Sequence, residues 1–536
     1  MTFVSPIQQQ SSVSPDDLYA ALKDTREIAV LDVRPTAPFL AGHIVRSVSL
    51  PLGRIEANIG RLVPRRSTQI VVVGSEALTA RAVSRLRELG YQDVAVLAGG
   101  VDAWQAAGKQ LITGQHALSK ALGEYVERVY ETPRLTPEEL QRRRDAGEEI
   151  VVIDTRPNDE YEYVAIPDSV AAPGAELLYR FDELVTSPDT TVVVTCAGRT
   201  RGIIGAQALL NAGVTNPVYS LENGTSGWEF AGYEPWRGAD QYAAVPGPEA
   251  LDRAKVRAAE VVRRFGVKSV DAATLAQFQA EVQQRSLYLY DVRTVAEYLE
   301  GHLPGALSAP GGQLVQTTDL YVGTNNARVV VADGADGVRG VITASWLVQL
   351  GIGEIFVYRA APSELTEKDE PVAQLPALDN ARFVDADEVR TLLDRGNLTI
   401  VDFAAPLSGQ SPRNVPKDAW FATRDTLPAT AGELPGNGPV LLLSVDGVEA
   451  AWAANDVGAT AGRELLVLRG GNRAWEAAAL PVVDAAHERS LDPFGPPNQL
   501  RSLPDRKKFF ADYVAWGDTI VEQIRADGTL ELGAHP

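Results

Sequence analysis

The sequence predicts an α/β protein of four tandem modules, each a mainly parallel sheet flanked by helices on both faces. Three observations lead to this prediction: the length of 536 residues, a short motif that recurs along the chain, and an alternation of apolar and amphipathic segments. A chain of this length exceeds one hydrophobic core, and roughly three to five domains are expected from length alone.

The recurring motif is a hydrophobic residue followed by Asp-x-Arg. Its three clear copies and one degenerate copy contain Asp32 and Arg34, Asp154 and Arg156, Asp291 and Arg293, and Asp402 and Ala404. Successive copies lie about 110 to 140 residues apart, which is the size of a single domain. The chain is therefore predicted to repeat one domain four times.

Strand and helix signals follow the same order in each unit. Ser14-Pro15 and Thr136-Pro137 each place a capping residue and a proline at the start of a helix that precedes the motif. After the motif comes a short apolar run and then a helix-length amphipathic segment. Uninterrupted apolar runs are typical of strands buried on both faces of a parallel sheet. These runs are residues 70–73, 191–194, 328–331 and 440–443.

The expected modules span residues 1–115, 128–237, 262–365 and 380–485. Charged segments near 116–131 and 248–264 are expected to be helices that connect modules. Residues 486–536 form a C-terminal extension with a predicted helix over 507–524.

Composition excludes several function classes. The net charge of −20 argues against nucleic-acid binding and against docking on anionic membranes. No apolar run is long enough to span a bilayer, and the first residues lack the features of a signal peptide, so a cytoplasmic location is expected. The five histidines are far apart, and no phosphate-binding glycine loop is present. We therefore expect no metal and no cofactor.

The only cysteine lies where a strand is predicted to turn into a helix. The loop reads Cys196-Ala197-Gly198-Arg199-Thr200-Arg201, directly after a β-branched run. A helix N-terminus presents unpaired N–H groups and a positive dipole end, which favour a thiolate over a thiol. The glycine lets the backbone curl around an anion, and the two arginines add positive charge in an acidic chain. The sequence thus predicts a nucleophilic Cys196.

Taken with this loop, several motifs resemble the rhodanese family over nearly the whole chain. The third unit closely matches the family pattern E-[FY]-x-x-G-H-I-P-G-A at Glu297, Tyr298, Gly301, His302, Leu303, Pro304, Gly305 and Ala306. A Gly-rich turn precedes Trp104, Trp228 and Trp475 in the other units, as in rhodaneses. The resemblance implies a thiosulfate sulfurtransferase: Cys196 takes sulfur from a small anionic donor as a persulfide, and cyanide or a thiol accepts it. A sulfur-relay protein is an alternative acceptor.

The resemblance also implies roles for the neighbours of Cys196. Ala197, Gly198, Arg199, Thr200 and Arg201 are expected to bind the substrate anion. Asp154 and Arg156 recur in units that lack the cysteine, so a structural ion pair is the preferred interpretation, with substrate binding by Arg156 as the alternative. Glu160 is expected to partner that arginine.

In the other three units, alignment on the apolar runs places Ser75, Asp333 and about Val445 opposite Cys196. Those units are predicted to be structural or binding modules.

Two further function classes remain open. A non-catalytic scaffold or a persulfide carrier fits a chain in which most modules lack the cysteine. A Cys-dependent phosphatase is less favoured, because four residues separate Cys196 from Arg201, one fewer than in the related dual-specificity phosphatases. Donors other than thiosulfate, such as mercaptopyruvate or glutathione persulfide, fit the sequence equally well.

Overall fold

The structure is a computed structural model that describes residues 11–369, 374–404, 414–457, 462–484, 487–493, 495 and 503–533. Within these ranges the chain forms four mainly parallel sheets of five or six strands and one antiparallel pair. Apolar side chains pack into hydrophobic clusters on the two faces of each large sheet. The predicted α/β class with four tandem, mainly parallel sheets is confirmed.

Module 1 contains the first sheet. Its strands are β1 (Ser12–Val13), β2 (Ile28–Asp32), β3 (Ser47–Ser49), β4 (Gln69–Val73) and β5 (Val94–Leu97). Its helices are α1 (Pro15–Leu22), α2 (Thr36–Ala41), α3 (Ile55–Leu62), α4 (Glu76–Glu88) and α5 (Gly100–Ala106). The strand order is β1-β5-β4-β2-β3. As the sequence predicts, the side chain of Ser14 caps α1 by accepting a hydrogen bond from the Asp17 N–H.

Module 2 follows a connecting helix, α6 (Ala117–Tyr130). Its strands are β6 (Arg134–Leu135), β7 (Ile150–Asp154), β8 (Ser169–Ala171), β9 (Thr191–Thr195) and β10 (Val218–Leu221). Its helices are α7 (Pro137–Asp145), α8 (Asn158–Tyr163), α9 (Glu176–Leu184), α10 (Thr200–Asn211) and α11 (Gly224–Phe230). The order β6-β10-β9-β7-β8 repeats that of module 1. The chain changes direction across the sheet between β9 and β7, which is where α/β sheets form ligand crevices.

Module 3 follows a second connecting helix, α12 (Pro248–Phe265). Its strands are β11 (Lys268–Val270), β12 (Leu287–Asp291), β13 (Leu307–Ser308), β14 (Ala327–Asp333) and β15 (Gly353–Arg359). Its helices are α13 (Ala272–Ala280), α14 (Val295–Glu300), α15 (Gly311–Gln316) and α16 (Val338–Leu350). One hydrophobic cluster runs without interruption from module 2 through α12 into module 3. These two modules therefore share a core.

Module 4 holds the six-stranded sheet. Its strands in chain order are β16 (Ala381–Val384), β17 (Thr399–Asp402), β18 (Asn414–Pro416), β19 (Trp420–Phe421), β20 (Val440–Leu443), β21 (Leu465–Leu468), β22 (Val482–Asp484) and β23 (Arg489–Ser490). Its helices are α17 (Ala386–Asp394), α18 (Leu427–Thr430), α19 (Val448–Val457) and α20 (Gly471–Ala477). The order β16-β21-β20-β17-β19-β23 preserves the arrangement of the other sheets, and β18 pairs with β22 apart from it.

The C-terminal extension forms one long helix, α21 (Leu503–Asp527), which is longer than the predicted segment. Its second half is buried against α6 and module 1, where Ile520, Val521 and Ile524 pack with Ala117 and Ala121. Among the described residues, no helix is both long enough and apolar enough to cross a membrane.

Sheet register shows which residues of the four modules are equivalent. In every module the motif aspartate pairs with the residue directly before the position of Cys196. The pairs are Asp32 with Val73, Asp154 with Thr195, Asp291 with Ala332 and Asp402 with Leu443. The residue after each pair occupies the position of Cys196. That residue is Gly74 in module 1, Asp333 in module 3 and Ser444 in module 4.

This register corrects two expectations from the sequence. Ser75 and Val445 each lie one residue beyond the position of Cys196. An apolar run does not itself show at which residue the strand ends. An alignment based on such runs can therefore be shifted by one residue. The expectation for Asp333 agrees with the register.

Candidate active site

The loop that carries Cys196 leaves β9 and enters α10 at Thr200. The residue is buried, with 2% of its surface exposed. Its carbonyl oxygen accepts hydrogen bonds from the N–H of Thr225 at 2.8 Å and from the hydroxyl of the same residue at 3.2 Å. The next carbonyl, of Ala197, accepts from the Ser226 N–H at 3.1 Å. The start of α11 thus fixes the loop from one side.

Gly224 makes this close contact possible. It has a φ of +52°, and a Cβ at this position would lie 2.1 Å from the Cys196 carbonyl oxygen. Both the conformation and the space require glycine.

The backbone N–H groups of residues 197–202 donate to no acceptor in the described part of the chain. They surround the turn from β9 into α10, where the first amides of a helix have no partner within the helix. A Cβ on Gly202 would lie 3.6 Å from Cys196 Sγ, so the last of these amides is close to the sulfur. Such a group of free amides is suited to bind an anion.

Module 3 shows what this arrangement does when a carboxylate is present. Asp333 takes the place of Cys196, and its carboxylate accepts from the N–H of Gly340 at 2.9 Å and of Gly334 at 2.7 Å. The Arg339 Nε also donates to it, at 3.1 Å. Like Gly202 in module 2, Gly340 directly follows the loop arginine. The equivalent site in module 3 is therefore filled by an internal anion.

Arg201 provides the positive charge next to Cys196. Its Nη1 and Nη2 each donate to one oxygen of Glu160 at 2.8 Å, and 14% of its side chain is exposed. Burial alone would lower the pKa of Arg201, but the Glu160 carboxylate, with a smaller contribution from the Cys196 sulfur, raises this pKa above its usual value. The expectation that Glu160 partners Arg156 was wrong. It partners Arg201 instead.

Arg156 is buried within its own module. Its Nε and Nη2 donate to the two oxygens of Asp154, and Nη2 also donates to the carbonyl of Val164. Only 2% of the arginine side chain is exposed. Burial disfavours the cation, but Asp154 raises the pKa of Arg156 above its usual value. The pair links the end of β7 to the end of α8, and these contacts support the structural role.

Modules 1 and 3 contain the same bidentate pair, formed by Arg34 with Asp32 and by Arg293 with Asp291. In module 4 the arginine is replaced by alanine. There the Nε2 of buried His487 lies 3.0 Å from Asp402, and the Asn472 side chain donates to the same carboxylate.

Arg199 does not face the sulfur site, and its expected role in substrate binding is corrected. Its guanidinium forms ion pairs with Glu124 at 2.9 Å and Glu127 at 2.5 Å, both on α6. Burial lowers the pKa of Arg199, but hydrogen bonds and charge from Glu124 more than offset burial and raise it. Arg199 therefore attaches the loop to α6. The neighbouring Thr200 hydroxyl lies 3.5 Å from the Tyr513 hydroxyl.

Several residues at this site were missed from the sequence. Glu124 lies on the preceding connector, and Phe510 and Tyr513 lie on α21, more than three hundred residues downstream. The aromatic residues 510, 513 and 516 at helical spacing were a signal for a helix face that packs against another part of the protein. Nothing in the sequence indicated which module that face would contact.

The rhodanese-like domain family matches residues 14–107, 136–231 and 273–364, which correspond to the first three sheets. The chain belongs to the rhodanese family. This rhodanese is 38% identical to a thiosulfate sulfurtransferase from Pseudomonas aeruginosa, whose crystal structure aligns with a TM-score of 0.84 over 98% of this chain and 100% of that one.

Shorter relatives match single segments of this rhodanese. A sulfurtransferase from Allochromatium vinosum is 26% identical over 102 residues, which cover 19% of this chain and 94% of the relative. An HTH-type transcriptional regulator from Mycobacterium tuberculosis, Rv0324, is 25% identical over 219 residues, or 41% of this chain and 88% of the relative. The resemblance found in the sequence motifs is confirmed at the level of the family.

Proposed function

We propose that this rhodanese is a sulfurtransferase that moves sulfane sulfur from thiosulfate, or a similar small anionic donor, to cyanide or a thiol through a persulfide on Cys196. One observation carries the proposal. Of the four equivalent loops, the loop of module 2 combines a thiol with free amides and with a largely buried arginine. The similarity to a thiosulfate sulfurtransferase along the whole chain supports the same reaction class.

The first half-reaction forms a persulfide. The Cys196 thiolate attacks the outer sulfur of thiosulfate, a new S–S bond forms, and the original S–S bond breaks with its electron pair leaving on sulfite. The amides of residues 197–202 stabilise negative charge on the sulfur before and after transfer. Arg201 attracts the dianionic donor and is held in place by Glu160.

The second half-reaction returns the enzyme to its starting state. Cyanide attacks the outer persulfide sulfur, the S–S bond breaks, and the electron pair returns to Cys196 as a thiolate while thiocyanate leaves. No proton relay is required in either half, because the nucleophile attacks as an anion and the leaving group departs as an anion with the electron pair of the broken S–S bond. Two separate halves predict ping-pong kinetics.

The other three loops lack what this reaction needs. Gly74 has no side chain. Asp333 would repel an anionic donor, and its carboxylate already accepts the amides that would bind one. Ser444 has no sulfur, and its hydroxyl accepts from the Ala450 N–H at 3.2 Å. Sulfur transfer is therefore assigned to module 2 alone.

The test is thiocyanate formation from thiosulfate and cyanide. Cys196→Ala should abolish it, whereas Ser444→Ala, at the equivalent position of module 4, should leave the rate unchanged. Mass spectrometry of the thiosulfate-treated protein should show an adduct of about 32 Da on Cys196. A fully active Cys196→Ala variant, or no adduct on the unaltered protein with any sulfane donor, would contradict the proposal and favour a scaffold.

A further inference from the structure

The first half of α21 lies over the loop that contains Cys196. A Cβ at Gly198 would be 3.1 Å from Phe510 Cε2 and 4.0 Å from Tyr513 Cε1, so both rings face the middle of this loop. The Tyr513 hydroxyl reaches Thr200, at the start of α10. The C-terminal helix therefore contacts the loop two and four residues after Cys196.

Contacts with module 2 and α6 hold the two rings in place. Phe510 packs edge-on against Phe230, at the end of α11, with ring centroids 5.5 Å apart. The Lys120 Nζ lies 4.0 Å from the centre of the Tyr513 ring. Arg506 forms an ion pair with Glu229 at the N-terminal end of the helix. The rings are thus fixed relative to the loop from both sides.

Burial differs along α21. Its second half is buried in the cluster with α6, whereas Lys507, Lys508 and Phe509 are exposed and Phe510 is partly exposed. Packing of the second half therefore stabilises the helix. The first half mainly contacts the loop that contains Cys196. A change at Phe510 is expected to alter the site more than the fold.

We propose that Phe510 and Tyr513 form one wall of the entrance to Cys196 and restrict the sulfur acceptor to small molecules. This inference rests on the proposed sulfur transfer. A small nucleophile such as cyanide reaches the outer persulfide sulfur without displacing the rings. A protein thiol must bring its own backbone close to the sulfur, and the aromatic wall occupies that space. Truncating the wall should therefore raise activity toward large acceptors more than toward cyanide.

Access to the thiol is tested first, independently of sulfur transfer, in the full-length protein. Cys196 is the only cysteine, so alkylation reports on this position alone. Phe510→Ala should accelerate alkylation by a bulky maleimide about tenfold more than alkylation by iodoacetamide. Phe509→Ala, which alters a 42% exposed neighbour, should leave the ratio of the two rates unchanged, and Phe510→Leu should change it less than alanine does.

Acceptor choice is tested next with thiosulfate as donor. The ratio of kcat/KM for a reduced thioredoxin-sized dithiol to that for cyanide should rise about tenfold in Phe510→Ala and stay constant in Phe509→Ala. General unfolding would lower the turnover with both acceptors in parallel, so the ratio of the two kcat/KM values separates access from stability.

Unchanged ratios in both assays would contradict the proposal that Phe510 and Tyr513 restrict access to Cys196. A protein thiol that already accepts sulfur from the unaltered enzyme as well as cyanide does would also overturn it. If the unaltered protein forms no thiocyanate, the proposed function fails, while the alkylation ratio still shows whether the wall limits access.

Discussion

Arg156 and Arg201 are two largely buried arginines of module 2, and their carboxylate partners separate their roles. Asp154 lies two residues before Arg156 in the sequence, and both side chains are buried. Glu160 comes from α8 and holds Arg201 beside the sulfur. At the scale of single residues, one pair supports the strand end and the other supplies charge to the loop.

Substituting the two arginines should therefore give different results. Arg156→Met leaves Asp154 buried without a counter-charge and should lower the free energy of unfolding by about 3 kcal/mol or more, measured by urea denaturation. The thiocyanate rate per folded molecule should persist. Arg201→Met removes the cation near Cys196 and should reduce that rate by about a hundredfold.

Arg293→Met is the matched control, because Arg293 and Asp291 form the same pair in module 3. It should destabilise the protein without slowing sulfur transfer. A large loss of turnover in Arg156→Met, with stability unchanged, would instead support substrate binding by that residue.

His43 predicts a pH dependence of stability. Its ring is buried, stacks on Phe39 with centroids 3.9 Å apart and contacts the Phe39 carbonyl through Nδ1 at 3.0 Å. Burial lowers the pKa of His43 to about 4, against about 6.5 in the unfolded chain. Below pH 6.5 the unfolded chain therefore takes up a proton that the folded protein does not.

The stability contributed by neutral His43 is fully present above pH 6.5 and is lost as the pH falls toward 4. Between pH 7 and pH 5 the free energy of unfolding should drop by about 2 kcal/mol through this group. His43→Phe, which keeps an aromatic ring on Phe39, should show a shallower pH dependence in urea titrations. Parallel curves for the two proteins would show that His43 does not titrate in this way.

The sequence identified Cys196 and the Asp-x-Arg pairs because each depends on residues that are close along the chain. It assigned Glu160 and Arg199 wrongly, since their partners are chosen only when α8 and α6 pack beside the loop. It also misplaced the equivalents of Cys196 in modules 1 and 4 by one residue. Strand pairing, rather than residue type, determines that register.

At the scale of elements, the helices that follow β5, β10 and β21 in modules 1, 2 and 4 each start at a glycine beside the position of Cys196. Gly100, Gly224 and Gly471 all have positive φ values, and a Cβ on each would contact the carbonyl oxygen of the residue equivalent to Cys196. The contact is also present in modules 1 and 4, which lack the thiol, so it is a feature of the fold. In module 2 the same contact also sets the position of the nucleophile.

Gly224→Ala should therefore disrupt the loop. The added methyl group would lie 2.1 Å from the Cys196 carbonyl oxygen at a φ of +52°, so the loop must move and the hydrogen bonds from Thr225 are lost. We expect a loss of persulfide formation larger than about tenfold, together with a lower unfolding midpoint.

Gly232→Ala is the comparison within the same module. Its φ is +88°, but no atom lies within 4 Å of the added Cβ. It should cost about 1 kcal/mol of stability through backbone strain and leave sulfur transfer intact. Equal activities of the two variants would argue that the loop tolerates displacement by α11.

At the scale of the whole molecule, modules without the thiol contribute to the interfaces. Arg339, the counterpart of Arg201, is fully buried and donates to Asp333 and Glu297 of its own module and to Glu176 on α9 of module 2. Burial disfavours the cation, but these carboxylates, Asp333 foremost, hold the pKa of Arg339 well above its usual value. The loop of module 3 that is equivalent to the Cys196 loop is thus part of the contact with module 2.

Other module contacts are equally polar. Module 1 meets module 3 where the Ser286 hydroxyl donates to Glu27 at 2.8 Å and the Tyr288 hydroxyl donates to the Leu62 carbonyl. It meets module 4 where buried Arg424 pairs with Glu56 at 2.6 Å. Sequence repeats predicted the modules but not these contacts, because each contact joins two modules and depends on how they pack together.

Arg339→Met should accordingly weaken the attachment of module 3 to module 2. It leaves three carboxylates without the cation that they share, and two of them, Asp333 and Glu176, are buried. We expect the free energy of unfolding to fall by about 3 kcal/mol. Limited proteolysis should then cut at α12 sooner than in the unaltered protein.

Arg382→Met is the matched control. It removes a cation that also pairs with two carboxylates, Glu388 and Glu464, but 47% of the Arg382 side chain is exposed. That control should change stability by less than about 1 kcal/mol. Equal effects of the two substitutions would mean that module 3 is held by its apolar core with module 2 alone, and that the arginine retained in its loop adds nothing to the assembly.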